Sequence, residues 1–264
     1  MGLFGGEIHF LRKNIVEKLF LMVFGSWHTG ARIRAFHLLR LASHTIRPGG
    51  HILDAGCGLG RHTFFLARKH PDISIVGIDV NGENISICNG IREKRGITRV
   101  RFQEGDLRFL GLDGRFDLII CSDVLEYIKE DNRVLDNFKK LLKGNGRLIL
   151  HAPRLNPRRY LRLFERYFKC EPLEKAAHAR DGYTDSQLRE KLERSGLTIT
   201  GLRYTFGHFG SLSWELSKIL ERAKPFFVVW FPFILFLGFV DSLITNREGN
   251  GILIEARRSQ GDCV

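Results

Sequence analysis

Cysteine is scarce in this chain of 264 residues: there are five, at 57, 88, 121, 170 and 264, and no two form a CxxC pair. That excludes a zinc ribbon and a dithiol redox motif, and no metal is expected. A chain of this size has no need of disulfides, so a reducing compartment is the expectation. Long hydrophobic runs are also missing. The longest uncharged apolar stretch, Pro225–Val240, has 16 residues, against the roughly 20 that a bilayer-spanning helix requires. The N-terminal segment MGLFGGEIHFLRKN lacks a signal peptide's order of charge, apolar core and small-residue cleavage site. Gly6 stands where the myristoylation pattern needs Ser or Thr. Neither a secretory leader nor a myristoyl anchor is expected. Acidic residues are few, 29 Asp and Glu against 41 Lys and Arg, for a net charge of +12. The expected partner is therefore anionic: nucleic acid, a membrane surface or an acidic substrate.

What remains is ordinary globular composition, 44% hydrophobic and 27% charged. It excludes a disordered, collagen-like or repeat protein, and the length fits one α/β domain. The excess charge is concentrated: residues 1–47 hold seven basic residues and two Glu, and residues 154–169 hold six basic residues and one Glu. Between Glu7 and Phe24, Ile8, Leu11, Ile15, Leu19 and Met22 recur at steps of three and four. That spacing predicts an amphipathic helix. A second helix is predicted over Ala31–Ser43.

The middle of the chain alternates between two periods. Apolar runs at His51–Ala55, Ser74–Val80, Val100–Gln103, Phe116–Ser122 and Arg147–His151 read as strands. Helical patterns near 60–70, 82–95 and 131–143 lie between them, which predicts a parallel sheet with helices on both faces. Thr184–Ser195 reads as a further helix, with Thr184 as N-cap, Leu188 and Leu192 on one face and Gly196 as the stop. Two more strands are predicted at Leu197–Phe206 and Gly251–Ala256.

The sharpest motif is Ile52-Leu53-Asp54-Ala55-Gly56-Cys57-Gly58-Leu59-Gly60, which follows a strand and opens a helix. Glycines let the backbone turn tightly and approach a ligand, and the helix N-terminus offers free N–H groups to an anion. Arg61 stands where the dinucleotide fingerprint needs a third spaced glycine, so NAD is disfavoured. Arg61 and His62 read as the exposed first turn of that helix. Asp79 ends the second strand, where a carboxylate can accept from both ribose hydroxyls, and Asp106 follows the third. The carboxyl ends of adjacent strands in a doubly wound sheet line one crevice, so these groups can meet one nucleoside-like ligand.

With LDAGCGLG, the Val-Gly-Ile-Asp-Val strand end, EGDL, FDLIICSDVLEYI and LKGNGRLIL in place, the region from about Gly50 to Pro153 resembles the class I S-adenosylmethionine-dependent methyltransferases of the small-molecule, type 11 group. The resemblance implies a Rossmann-like, seven-stranded, mostly parallel sheet with helices on both faces, an antiparallel last strand and a helical insertion before it. The expected domains are a helical cap over 1–47 and a methyltransferase domain over 48–264, with acceptor-side insertions at about 154–183 and 207–248, although the resemblance itself runs only from about Gly50 to Pro153. The resemblance implies S-adenosylmethionine as cofactor, with Asp54, Gly56, Cys57 and Gly58 at its methionine part. Asp79 and Val80 would meet the ribose, Asp106 and Leu107 the adenine, and Ser122 would border the reactive methyl group.

The family's Asn-Pro-Pro-Tyr pattern of amino-group and base methylation is absent; the fourth strand ends Cys121-Ser122-Asp123-Val124. The expected reaction is therefore O- or C-methylation of a small-molecule or lipid-like acceptor. A nucleic-acid methyltransferase and a non-enzymatic protein on the same fold remain as rivals. An oxygen acceptor profits from a general base. Asp123, Glu126, His151, His178 and Tyr183 are the candidates, and His151 with His178 is the preferred catalytic pair.

The apolar run Pro225–Val240 carries Pro232, Gly238 and seven aromatic residues. A single crossing there would put the last two strands on opposite sides of a membrane. It is read as a buried helix, an oligomer contact, a re-entrant hairpin or a helix in the membrane interface. The expected location is cytoplasmic, peripheral at the inner face of a membrane.

Overall fold

Seven strands form where apolar residues alternate between two buried faces. They are β1 (His51–Ala55), β2 (Ser74–Asp79), β3 (Val100–Glu104), β4 (Phe116–Ser122), β5 (Leu142–Pro153), β6 (Leu197–Thr205) and β7 (Gly251–Arg258). The computed structural model describes residues 28–112, 114–161, 179–221 and 224–259. The helix expected over Glu7–Phe24 and the candidate base His178 lie outside the described residues.

The strands join in the order β3-β2-β1-β4-β5-β7-β6. β1 to β5 pair in parallel, and β7 runs antiparallel between β5 and β6. Six parallel strands and one antiparallel strand match the expectation. Successive residues feed opposite cores: Ile52, Leu118, Ile120, Ile149 and Leu253 face one side, while Leu53, Ile119, Cys121, Leu148, Leu150 and Ile254 face the other. A strand buried on both faces reads as a continuous apolar run, which is why these were legible.

Helices α1 (Thr29–Thr45), α2 (Arg61–Lys69) and α3 (Gly82–Lys94) cover the first face through Leu38, Phe64, Leu66 and Cys88. Helices α4 (Asp131–Leu141) and α5 (Asp185–Arg194) cover the second through Leu135, Phe138, Leu188 and Leu192. Thr184 caps α5 in a reciprocal box with Gln187, which satisfies two otherwise orphaned N–H groups.

Between β6 and β7 the chain leaves the sheet and returns as α6 (His208–Leu220) and α7 (Lys224–Leu243), packed on each other and on α1. α7 is longer than the uncharged run suggested. It has 20 residues, about 30 Å at 1.5 Å per residue, so it is long and apolar enough to cross a bilayer. The helix passes through Asp241 because that carboxylate is buried against His37 Nε2 (3.0 Å) and the Gly210 N–H (3.0 Å). The topological expectation holds: β6 and β7 are neighbours in one sheet, so both ends of the insertion return to the same place. Phe227, Phe231, Ile234 and Leu237 are buried, whereas Phe226, Val229, Trp230, Phe233, Phe236 and Phe239 are exposed.

Candidate active site

Strand order reverses between β1 and β4, and the crevice beyond their carboxyl ends is where ligands bind in such sheets. The glycine turn sits on that rim. Gly56, Gly58 and Gly60 all have positive φ, a conformation that side chains with a Cβ resist. The Gly56 and Cys57 N–H groups donate to Ile78 O at 2.8 and 2.9 Å, tying the turn to β2. A Cβ on Gly58 would meet nothing within 4 Å. The turn is thus an open cradle at Gly58.

Asp79 sits beside it. Its carboxylate accepts from the Gly58 N–H at 2.8 Å and from the Asn81 N–H at 2.9 Å. Val80, next in the chain, is exposed on the same rim. Asp54 is buried and accepts from Thr63 Oγ1 at 2.6 Å. Burial raises its carboxyl to about 6, and the Thr63 hydrogen bond offsets part of that effect. Cys57 and Cys88 both direct their thiols at Gly58 O, at 3.8 and 3.6 Å. Burial pushes the Cys88 thiol up to about 12 and the Cys57 thiol further. Both are protonated supports of the turn.

Asp106 caps a short 3₁₀ turn (Leu107–Phe109) through the Arg108 N–H. It also takes a forked pair from the Arg108 side chain, with Nη2 to Oδ2 at 2.6 Å. That pairing holds its carboxyl below the usual range. Leu107 turns into the core, and Phe109 beside it is exposed.

Ser122 ends β4, paired in register with His151 of β5. Asp123 follows in the left-handed conformation, φ 52°, which aims its carboxylate across the strand ends. There it meets the Arg34 guanidinium of α1 and, at 2.6 Å, His151 Nδ1. Burial alone would raise this carboxyl; Arg34 and His151 outweigh it and hold it below its usual range. His151 is buried, and its Nε2 lies 2.8 Å from Thr205 Oγ1. An ionised carboxylate only accepts, so Nδ1 carries a proton toward Asp123, while Nε2 faces the Thr205 hydroxyl.

Arg61 and His62 are half-buried rather than exposed. α1 covers the first turn of α2, and burial with the Arg61 and Arg34 charges holds His62 down to about 4. Tyr183 does not reach the site. It is buried and donates to Asp131 at 2.7 Å, within a cluster completed by Arg180 and Lys191. Glu126 is buried, and among the described residues its Oε2 has no hydrogen-bond partner. Burial and the nearby Asp123 charge raise its carboxyl.

Beside Asp123 opens a cleft of about 420 Å³, walled by residues 153–157, Arg159, Trp214, Lys218 and Gly251. Its lining includes Asp123 and His151 at the ends of β4 and β5.

The family model described as a methyltransferase domain matches residues 46–195. The chain belongs to that family. It is a class I S-adenosylmethionine-dependent methyltransferase. A ubiquinone biosynthesis O-methyltransferase from Coxiella burnetii is 28% identical over 192 residues, covering 67% of this chain and 80% of the relative. Phosphoethanolamine N-methyltransferase 2 from Haemonchus contortus, solved with S-adenosyl-L-methionine, superposes with a TM-score of 0.61 at 16% identity. The match covers 89% of this chain and 53% of that one. The N-methyltransferase NodS from Bradyrhizobium japonicum, solved with S-adenosyl-L-homocysteine, gives 0.55 at 18% identity over 88% of each chain. At such identities the solved structures speak for the fold alone.

The cofactor of this methyltransferase is S-adenosylmethionine, and the residues present fit it: an open cradle at Gly58 with the Asp79 carboxylate at its edge. Reading the sequence missed Arg34, Thr63, Cys88, Arg108 and Thr205. Arg34 belonged to a basic stretch already marked. Cys88 and Thr205 carry no local signal, because each gains its role from a partner distant in the chain, whereas Arg108 lies two residues from Asp106 and Thr63 nine from Asp54.

Proposed function

We propose that this methyltransferase acts on oxygen or carbon of a lipid-like small molecule, as a cytoplasmic enzyme held peripherally at the inner face of a membrane. The exposed aromatic stripe of α7 carries this reading. Phe226, Val229, Trp230, Phe233, Phe236 and Phe239 form an apolar face with Trp at its edge, the composition of an interfacial helix. α7 packs on α6, which contributes Trp214 and Lys218 to the cleft. The helix that meets lipid is therefore one layer from the acceptor. The name of the Coxiella relative, an O-methyltransferase, supports oxygen as the accepting atom. In this reading residues 1–47 cap the crevice, and 154–183 and 207–248 form the acceptor side.

S-adenosylmethionine, once bound, supplies an electrophilic methyl group. The chain aligns the acceptor and excludes water. Asp54, Gly56, Cys57 and Gly58 form the turn, Asp79 and Val80 face the ribose, and Asp106 with Leu107 closes the far side. Ser122 borders the acceptor, and Asp123 accepts a hydrogen bond from the acceptor hydroxyl. Arg34 and His151 hold that carboxylate ionised and in place. The proton released on O-methylation passes to the Asp123 carboxylate and on to solvent through the cleft, while His151 Nδ1, which already carries a proton, stays hydrogen-bonded to it.

Mass spectrometry of lipid and small-molecule extracts from a deletion strain tests the acceptor. A precursor one CH2 lighter should accumulate in the lipid fraction; accumulation in the aqueous fraction alone defeats the lipid-like reading. Liposome flotation tests the surface. Binding should fall when Trp230, Phe233 and Phe236 become Ser, and absence of binding by wild type defeats the membrane contact.

A further inference from the structure

The cleft beside Asp123 has an uneven charge. Its lining includes four basic residues, Arg34, Arg154, Arg159 and Lys218, and two acidic ones, Asp123 and Asp181. Arg34 is matched by Asp123. Arg154, Arg159 and Lys218 share the lining with Asp181, and Glu215 lies close enough to Arg159 to act on its charge. Among the described residues the ion pairs of Arg154 with Asp185 and of Lys218 with Glu221 are long, at 3.7 and 3.9 Å. Neither separation is that of a close charge-assisted hydrogen bond.

The basic wall is built rather than draped. Arg159 lies over the Trp214 ring, 5.1 Å from its centroid. The segment that carries Arg154 and Arg159 is pinned at several points. Asn250 accepts from the Arg158 N–H at 2.7 Å and donates to Arg158 O at 2.8 Å. The fully buried Glu215 carboxylate of α6 accepts from the Tyr160 and Leu161 N–H groups, at 3.1 and 2.8 Å. A fully buried carboxylate spent on two backbone donors fixes this segment against α6. The backbone that carries Arg154 and Arg159 is thus set in place before any ligand arrives. Leu155, Pro157, Phe206 and Trp214 supply apolar surface, beside the polar Asn156, Ser211 and Asn250.

We propose that this cleft takes an anionic amphiphile as methyl acceptor, its carboxylate or phosphate held among Arg154, Arg159 and Lys218 and its apolar body against Trp214 and Phe206. The accepting atom then lies toward Asp123, at the inner end of the cleft. The proposal rests on the methyltransferase reading for the direction of transfer, whereas anion binding itself does not depend on it. Guanidinium forks suit carboxylate and phosphate oxygens, and the cleft's 420 Å³ falls within the usual size of small-molecule sites.

The test uses the full chain with Trp27→Phe and Trp230→Phe, leaving Trp214 as the fluorophore. Octyl phosphate, octanoate, octanol, octylammonium and inorganic phosphate are titrated in low salt. Octyl phosphate or octanoate should quench Trp214 and bind at least about tenfold tighter than octanol and octylammonium. Arg154→Gln with Lys218→Gln should erase that preference while octanol binding stays the same, with circular dichroism confirming the fold. Equal affinity for octanol, tighter binding of octylammonium, or an unchanged preference in the folded variant overturns the proposal. Inorganic phosphate binding as tightly as octyl phosphate overturns the amphiphile. Calorimetry with S-adenosylhomocysteine runs in parallel. Its failure to bind while the anions bind defeats the methyltransferase reading and leaves the anion site standing.

Discussion

His151 donates from Nδ1 to Asp123 Oδ1 across 2.6 Å, joining the end of β5 to the residue that follows β4. The imidazole's other nitrogen reaches Thr205 on β6. Gly251 of β7 runs alongside: a Cβ there would lie 2.3 Å from Thr205 Oγ1 and 2.7 Å from His151 Nε2. Gly251→Ala should therefore push this chain of bonds apart and destabilise the fold by about 1–3 kcal/mol, the usual penalty of overpacking. Urea denaturation measures it. An unchanged midpoint would mean that the strand ends yield freely.

Asp79→Ala removes a carboxylate that braces the Gly58 N–H and faces the expected ribose. S-adenosylhomocysteine binding should weaken by about 1.5–3 kcal/mol, the range for hydrogen bonds to a charged group. Isothermal calorimetry gives the constant directly, and equal constants for variant and wild type would remove Asp79 from the site. Gly58→Val should bind less well still, since it fills the cradle.

Asp54 makes stability depend on pH in a defined direction. Its folded carboxyl sits at about 6 against an ordinary 3.8. Below about pH 4 both states hold the proton and nothing changes. From there to about 6 the folded state keeps a proton that the unfolded chain gives up, so stability falls as pH rises. Above about 6 the deficit is constant at roughly 3 kcal/mol, at about 1.4 kcal/mol per pH unit. Asp54→Asn keeps the Thr63 contact and lacks this slope. Ligand-free denaturation curves from pH 4 to 7 should show the two proteins diverging, and parallel curves would contradict the raised carboxyl of buried Asp54.

Two aromatic residues two positions apart on α7 should behave oppositely. Phe231 is fully buried with Arg32 over its ring, 5.9 Å from the centroid, whereas Phe233 is exposed. Phe231→Ser should cost about 3–5 kcal/mol of stability, as for other core aromatic truncations. Phe233→Ser should stay within about 0.5 kcal/mol and reduce liposome binding. Equal thermal shifts for the two would mean that this face of α7 is covered in solution.

The sequence by itself determined the sheet, the helices on its faces and the glycine turn with Asp54 and Asp79. These are legible because each is local. A strand buried on both faces is a continuous apolar run, and a tight ligand turn needs its glycines side by side. Tertiary structure alone decided what surrounds Asp123. Arg34 is 89 positions from it, and Thr205 is 54 from His151, separations that leave no periodic trace. The same holds for α7. The uncharged run ends at Asp241, yet the helix continues, because His37, 204 positions away, and the Gly210 N–H satisfy that carboxylate. Composition shows where a charge interrupts an apolar segment. Only the packed partner decides whether the charge ends the helix or is buried within it, since a buried carboxylate is tolerable when hydrogen-bond donors surround it.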